Sequence, residues 1–460
     1  MEPRTLFIDA CYLAASVLFI LGLKGLTKPE SARRGMQYAA VGMVLAVCGT
    51  LVNHEIVEYR WIALGLTLGT LIGWPLGTKV AMTAMPQRIA ISHMFGALAA
   101  TLVGIAEFYT HRASLQRPVL FALGFEVLFG ALTVTGSFMA FGKLQELLPG
   151  RPVTFRGQNL LNLLIFASGL LAFAYQLVFP GDALSFSLMV GAALLTGILM
   201  VLPIGGADMP VVVSLLNSYA GLAASATGFA IGNNVLIICG ALDGASGFLL
   251  SVLMSRAMNR SFSNVLFGAF GSVAAVGSQQ KQEGEMRAIS SEDAAATLAF
   301  ARSVVVVPGY GLAVAQAQQI VRELAEQVER RGGDVKYAIH PVAGRMPGHM
   351  NVLLAEANIP YEKMVELEEI NPQFAEVDVV IVIGANDVVN PAARTDKTSP
   401  IYGMPILNVD RARRIIVLKR GKGAGFAGIE NALFFNEKTS LLFGDAKGSL
   451  QKLVSEMKTL

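Results

Sequence analysis

Between residues 302 and 319 the chain reads RSVVVVPGYGLAVAQAQQ. Four valines before Pro308 predict a strand buried on both faces, and residues 312–330 predict a helix. Gly309 and Gly311 in the intervening turn let a diphosphate approach the main chain, where the positive end of the following helix favours anions. Val314 stands at the third glycine position of a G-x-G-x-x-G pattern, so an ordinary tight turn remains a second interpretation.

Composition places most of the chain in a lipid bilayer. Hydrophobic residues make up 53% of its 460 residues, charged residues make up 15%, and the mean hydropathy is +0.55. The hydrophobic fraction is higher than that of a typical soluble protein, and the charged fraction is lower. The net charge of +3 is small and scattered, which argues against a nucleic-acid partner. Three isolated cysteines without paired histidines predict neither a disulfide framework nor a metal site.

Nine apolar segments are long enough to cross a membrane as helices. Lysine and arginine are concentrated in alternate loops, and the positive-inside rule places these loops in the cytoplasm. The N-terminus is then outside, and everything after the ninth segment is cytosolic. The predicted segments are residues 6–26, 36–52, 61–80, 87–109, 119–141, 160–179, 183–202, 210–231 and 235–258.

The remainder of the chain predicts a separate nucleotide domain. Residues 1–263 form the membrane domain, 264–284 a polar linker, and 285–460 a domain in which short apolar strands alternate with helices. This alternation predicts a parallel, doubly wound, Rossmann-like α/β sheet whose ligand lies beyond the strand ends at the topological switch point. Further strands are predicted at residues 335–340, 377–383, 405–408, 414–418 and 441–443, with helices at 350–358 and from 448 onward.

Charged residues near the strand ends favour NADP over NAD. The second strand ends at His340 without the carboxylate that usually binds the ribose of NAD. Lys419 and Arg420 close another strand and suit the additional phosphate of NADP, although a basic strand end facing solvent is equally consistent. Asp387 is a candidate ligand of ribose or carboxamide or a turn residue, and Arg345 a ligand of diphosphate or of a helix C-terminus.

Polar residues inside the apolar segments are candidate proton-path residues, because such groups are costly at membrane depth. His93 can exchange a proton near neutral pH, or simply hydrogen-bond a neighbouring helix. Asn217 lies on a stripe of small and polar residues that either packs helices or lines a wet path. Ser137 can add a relay hydroxyl, Asp243 requires a proton or a partner, and Asp208 couples to the soluble domain or starts a helix.

Six motifs resemble the beta subunit of proton-translocating NAD(P) transhydrogenase, and the resemblance extends over essentially the whole chain. They are LPIGGADMP at 202–210, AMNRS at 257–261, PGYGLAVAQAQ at 308–318, HPVAGRMPGHMNVLLAEA at 340–357, GANDVVNPA at 384–392 and LFGDAK at 442–447. The resemblance implies reversible hydride transfer between NAD(H) and NADP(H), coupled to proton translocation across the inner membrane. It also implies that this chain binds NADP(H), that an alpha subunit binds NAD(H), and that two alpha-beta units form a dimer.

The resemblance also implies roles for individual residues. No side chain acts directly in the hydride step, because the nucleotides carry that chemistry. The lid at 421–428 contains Phe426 where the family usually has tyrosine, and Asp243 replaces an expected apolar residue. A membrane transporter or channel that senses NADP(H) without hydride transfer is the alternative. The predicted proton-path residues are His93, Ser137, Asp208, Asn217 and Asp243; the predicted NADP(H) contacts are Gly309, Tyr310, Gly311, Val314, Arg345, Gly348, Gly384, Asn386, Asp387, Lys419, Arg420, Gly425, Phe426, Ala427 and Asp445.

Overall fold

The chain divides into two compact units, one built of helices and one that contains a β-sheet. The computed structural model describes residues 3–53, 58–79, 84–112, 114–149, 153–205, 208–257, 286–344, 348–397, 399, 401–421 and 429–460. The predicted linker at 264–284 therefore lies outside the described residues, and the predicted domain boundaries stay predictions.

Nine long helices precede the sheet in the described part of the chain, and each overlaps one of the nine predicted segments. Eight of them are long and apolar enough to cross a membrane, which indicates a multi-pass membrane protein. The exception is α2, whose first turns carry Glu30, Arg33 and Arg34. The helices are α1 (Pro3–Gly25), α2 (Pro29–Leu51), α3 (Tyr59–Thr78), α4 (Met85–His111), α5 (Arg117–Leu144), α6 (Gln158–Val178), α7 (Ala183–Val201), α8 (Met209–Ala230) and α9 (Asn234–Ala257).

Helix α5 is enclosed by its neighbours, and its buried side carries polar as well as apolar groups. At one end, the buried Lys143 ammonium donates hydrogen bonds to the carbonyl oxygens of Val201 (3.2 Å) and Leu202 (2.5 Å) at the end of α7. A cation at that position satisfies carbonyls that have no partner within their own helix and complements the helix dipole. The remaining buried polar residues of α5 are Glu126, Thr133 and Ser137.

The second unit contains a six-stranded parallel sheet with the strand order β3-β2-β1-β4-β5-β6. This is the doubly wound order, with its switch point between β1 and β4. The strands are β1 (Ser303–Pro308), β2 (Asp334–Ile339), β3 (Met364–Glu366), β4 (Val379–Ile383), β5 (Arg414–Lys419) and β6 (Thr439–Phe443). The helices are α10 (Ser291–Ala299), α11 (Tyr310–Ala315), α12 (Gln318–Glu329), α13 (His349–Glu356), α14 (Leu367–Ile370), α15 (Ala392–Thr395) and α16 (Ala446–Thr459).

The valine run of β1 is buried on both faces, as predicted. Val304 and Val306 join a core that also contains Leu324 of α12 and Leu453 of α16. Val305 and Val307 face the core on the other side of the sheet, where Phe374 and Leu433 are fully buried. Since successive strand residues point to opposite faces, four valines in a row are what a strand between two helical or loop layers requires.

Two local predictions are corrected by the structure. The helix expected over 312–330 is divided into α11 and α12, because Gln316 adopts a left-handed conformation (φ 49°) that ends α11. Residues 405–408 do not form a strand: the Ile406 carbonyl accepts a hydrogen bond from the Asn371 side chain (3.0 Å), and the Leu407 amide donates to the Val388 carbonyl (2.9 Å). The sheet instead contains β3, a strand at its edge beside β2 that the sequence did not predict; it has three residues and one buried side chain, Val365.

Candidate functional site

The loops after β1 and β4 interlock at the switch point of the sheet. The Gly309 amide donates to the Ile383 carbonyl (2.9 Å), and the Gly311 amide donates to the Gly384 carbonyl (3.0 Å). A Cβ atom on Gly309 would lie 2.4 Å from the Gly384 oxygen, and one on Gly311 would lie 2.7 Å from the Gly384 Cα. Any side chain at either position would push the two loops apart, so the glycines are required for this loop-to-loop contact.

The loop after β2 is held by a buried histidine. The Val342 amide donates to Nδ1 of His340 (3.2 Å), so that nitrogen is unprotonated and Nε2–H donates to the Pro405 carbonyl (2.7 Å). Burial lowers the pKa of His340 to about 4, which keeps the ring neutral. The position where a NAD-binding fold has a carboxylate is therefore occupied by a neutral, fully hydrogen-bonded imidazole.

A second buried side chain, Asn431, holds the loop after β4. Its Nδ2 donates to both the backbone oxygen (2.9 Å) and Oδ1 (3.0 Å) of Asn386, while its own Oδ1 accepts from the Leu433 amide (2.9 Å). Asn390, also buried, donates to the Glu430 carbonyl (3.1 Å). These bonds connect the loop after β4 to the chain that follows residues 421–428.

The end of β5 carries positive charge beside an aromatic ring. Lys419 is half-buried with its ammonium 4.6 Å from the centre of the Phe434 ring, and Arg420 next to it is exposed. Burial lowers the pKa of Lys419. Asp445, after β6, caps α16 by accepting from the Gly448 amide (3.2 Å). A half-buried ammonium and an exposed guanidinium can together bind a phosphate group that approaches from solvent.

Among the helices, α8 and α9 make a close contact built on glycine. A Cβ atom on Gly221 would lie 2.3 Å from the Gly244 nitrogen, and one on Gly247 would lie 2.9 Å from Nδ2 of Asn217. Nδ2 of Asn217 donates to Oδ1 of Asp243 at 3.0 Å. The predicted stripe on α8 therefore packs directly against α9 and gives Asp243 the partner that its position requires.

The helix contacts also bring His93, Ser137 and Asn217 to one level. Helices α4 and α5 are antiparallel, since Gly104 contacts Glu126 and Thr101 contacts Gly130. Continuing this register by two turns places His93 opposite Ser137. On α8, Leu216 contacts Gly136, so Asn217 lies at the same level, and Asp243 is within electrostatic range of His93.

The profile of the NAD(P) transhydrogenase beta subunit matches residues 8–456. The chain belongs to this transhydrogenase beta subunit family. NAD(P) transhydrogenase subunit beta from Rhodospirillum rubrum is 48% identical to it over 457 residues, which cover 97% of this chain and 98% of the relative. The protein of R. rubrum strain ATCC 11170 gives the same values.

Membership of the transhydrogenase beta subunit family implies transhydrogenase activity, nicotinamide nucleotides as reactants and an alpha-subunit partner. The fold agrees with that membership, because all but one of the predicted nucleotide contacts that the structure describes lie at or just beyond the carboxyl edge of one parallel sheet. Val314, in α11, is exposed. Arg345, Gly425, Phe426 and Ala427 lie outside the described residues. The residues placed at or just beyond this edge are Gly309, Tyr310, Gly311, Gly348, Gly384, Asn386, Asp387, Lys419, Arg420 and Asp445.

Asp208 lies in the turn that leads into α8, where its carbonyl accepts from the Val211 amide (3.1 Å). This placement is consistent with either predicted role, coupling or helix initiation. Sequence reasoning missed Asn431 and Glu126. For Glu126 a signal existed, since an acidic residue stands in the middle of an apolar segment. For Asn431 no sequence pattern links it to a partner 45 positions earlier.

Proposed function

We propose that this chain binds NADP(H) at the carboxyl edge of its sheet and couples hydride exchange with NAD(H), held by an alpha subunit, to proton movement through its helices. The observation that carries the proposal is the contrast between two strand ends. After β2 stands the neutral His340, whereas β5 ends in Lys419 and Arg420. That distribution of charge favours the nucleotide with the additional phosphate.

In this proposal Lys419 and Arg420 bind the 2′-phosphate of NADP(H), with the arginine able to engage two oxygens at once. Family resemblance assigns Tyr310, Arg345 and Asp387 to the nicotinamide and diphosphate half. The interlocked loops around Gly309 and Gly384 provide a fixed floor at the switch point, which favours a defined position of the bound nucleotide. The nucleotides themselves supply the hydride chemistry.

The helices would determine when hydride transfer is permitted. We assign the proton site to the level that contains His93, Ser137, Asn217 and Asp243. Protonation there shifts the NADP(H) domain between a state that exchanges nucleotide and an occluded state that transfers hydride. Such coupling requires the proton site to have different affinities for protons in the two states. The supporting observation is that Nδ1 of His93 and Oγ of Ser137 are buried and make no hydrogen bond within the described chain.

The nucleotide assignment is tested by calorimetric titration of the purified full-length chain in detergent with NADPH and with NADH. We expect strong preference for NADPH and loss of that preference in the Lys419→Ala/Arg420→Ala variant. Arg411→Ala, which removes an exposed arginine of the same unit away from the carboxyl edge, is the matched control and should bind as the parent does. Equal affinity for both nucleotides would contradict the phosphate assignment.

Nucleotide binding alone does not distinguish a transhydrogenase from a membrane transporter or channel that senses NADP(H). An assay of hydride transfer by the chain reconstituted with its alpha subunit distinguishes them. Reduction of an NAD analogue by NADPH supports the proposal, whereas NADPH binding without any hydride transfer would favour the sensing protein.

A further inference from the structure

A fully buried carboxyl group lies between three helices of the membrane unit. The side chain of Glu126 on α5 is 0% exposed. It lies against Gly104 of α4, where an added Cβ would come within 2.9 Å of the carboxyl carbon, and beside the Thr227 hydroxyl of α8. Neither carboxyl oxygen makes a hydrogen bond of normal geometry to the described residues. The Thr227 hydroxyl itself donates to the Ala223 carbonyl (3.0 Å).

This environment suits a carboxyl group that carries a proton. A buried ionised carboxylate is costly unless a cation or several donors face it. A second acid, Glu107 of α4, lies within electrostatic range of Glu126. Glu107 is in turn paired with His111 (2.8 Å), and both are partly exposed at the end of α4. A partly exposed titratable pair thus lies within electrostatic range of a buried acid.

Glu126 also begins a line of polar groups that leads to the level of His93. On α5, Glu126, Gly130, Thr133 and Ser137 recur at intervals of three or four residues and share one helix face. On α4, Thr101 contacts this face at Gly130, between Glu126 and His93. Eleven residues separate Glu126 from Ser137, which corresponds to about 16 Å along the helix. That distance is too long for a proton to pass directly between the two side chains. The hydroxyl groups of Thr101 and Thr133 lie between them.

Charge distribution indicates which side Glu126 faces. Arg112 in the loop between α4 and α5 and Arg117 at the start of α5 lie on the side with few positive charges, which the positive-inside rule places outside. Glu126 is nearer to that loop than Ser137 is. The buried acid therefore stands between the outer solution and the His93 level.

We propose that Glu126 is the outer proton-exchange site of the path, resting on the proposed function above. Its carboxyl group receives a proton from the outer solution past Glu107 and His111, and releases one toward the His93 level through the hydroxyl-lined face. Each transfer moves one proton between oxygen or nitrogen atoms, so no other reactant is required. Thr227 and Gly104 position the carboxyl group.

The test uses the chain assembled with its alpha subunit in liposomes, with proton movement followed by an internal pH dye and hydride transfer by absorbance. For Glu126→Gln we expect proton movement per hydride to fall at least tenfold. A single hydride transfer from NADPH bound beforehand should keep its parental rate, because that step requires no proton from the outer side. Glu126→Asp should retain part of the proton movement, and Glu58→Gln, an exposed glutamate, should match the parent.

Unchanged proton movement per hydride in Glu126→Gln would overturn the inference while leaving the proposed function intact. Absence of hydride transfer and proton movement in the parent would instead refute the proposed function. If Glu126→Gln does not assemble, Glu126→Asp decides. An assembled Asp variant with reduced coupling and a normal single turnover supports the site. A Glu126→Asp variant that is fully coupled and keeps the parental pH dependence would contradict the proposed site.

Discussion

Two buried side chains that hold loops at the carboxyl edge of the sheet, and three side chains of α4 and α5 with buried polar atoms, differ in how their polar atoms are satisfied. At the edge, the side chains of His340 and Asn431 use both of their polar ends in hydrogen bonds. Among the helices, Nδ1 of His93, both carboxyl oxygens of Glu126 and Oγ of Ser137 are buried and make no hydrogen bond to the described residues. Fully satisfied polar networks rigidify a structure, and unsatisfied ones are high in energy and responsive to protons or water. The contrast fits a fixed binding edge and an adjustable proton path.

The largest effect of a mutation on coupled turnover is expected at the contact between α8 and α9. Asn217→Leu removes the hydrogen bond to Asp243 and leaves that carboxylate without its described partner. Coupled turnover in liposomes should fall at least tenfold. Asn162→Leu on α6, which removes a long hydrogen bond to the Leu199 carbonyl (3.4 Å), is the control and should lower turnover by less than twofold. Equal losses in the two variants would indicate a general packing defect.

At the sheet edge, the next effect concerns stability rather than turnover. The pKa of His340 is lowered from 6.5 to about 4, so the unfolded chain binds a proton that the folded chain does not between these values. Stability contributed by neutral His340 is therefore present above pH 6.5 and is lost as pH falls toward 4, by about 3 kcal/mol. Denaturant unfolding of the sheet unit, followed by its circular dichroism, measures this. In His340→Gln the dependence over that pH range should be much weaker.

A smaller loss is expected at Asn431. Replacement by alanine removes two donated hydrogen bonds and one accepted hydrogen bond in a buried position, which should lower the free energy of unfolding by about 1–3 kcal/mol. It should also weaken NADPH binding, since the Asn386 loop borders the switch point. Asn436→Ala, which removes one hydrogen bond to the Lys438 amide near the surface, is the control. NADPH affinity that is unchanged in Asn431→Ala would show that this loop does not contact the nucleotide.

The smallest effect is a pH dependence of NADPH affinity. Because burial lowers the pKa of Lys419, its ammonium loses the proton at lower pH than an exposed lysine does. Affinity should be greatest near neutral pH and decline several-fold as the solution becomes alkaline. Lys419→Arg should shift this decline to higher pH, because a guanidinium stays protonated. Titrations over a pH series measure it, and a parallel decline in the Lys and Arg proteins would exclude Lys419 as its source.

These two regions also differ in how far the sequence predicts them. Four valines followed by Pro308 and Gly309 predicted β1 and the switch-point turn, because burial on both faces has a local signature. The division of the helix at Gln316 had no such signature, since neither glycine nor proline marks it. The short strand β3 was missed because one buried residue is no pattern. The common level of His93, Ser137 and Asn217 depends on helix register, which only the packed glycines reveal.

The central claim is that hydride transfer on the sheet unit and proton movement through the helices are one coupled process. The most direct test measures both at once, in liposomes that contain the chain with its alpha subunit, for the parent and for His93→Ala. In the parent, we expect proton movement that is tied to hydride transfer. In His93→Ala we expect this coupling to be lost while NADPH binding is retained. The same number of protons per hydride in both proteins would contradict it.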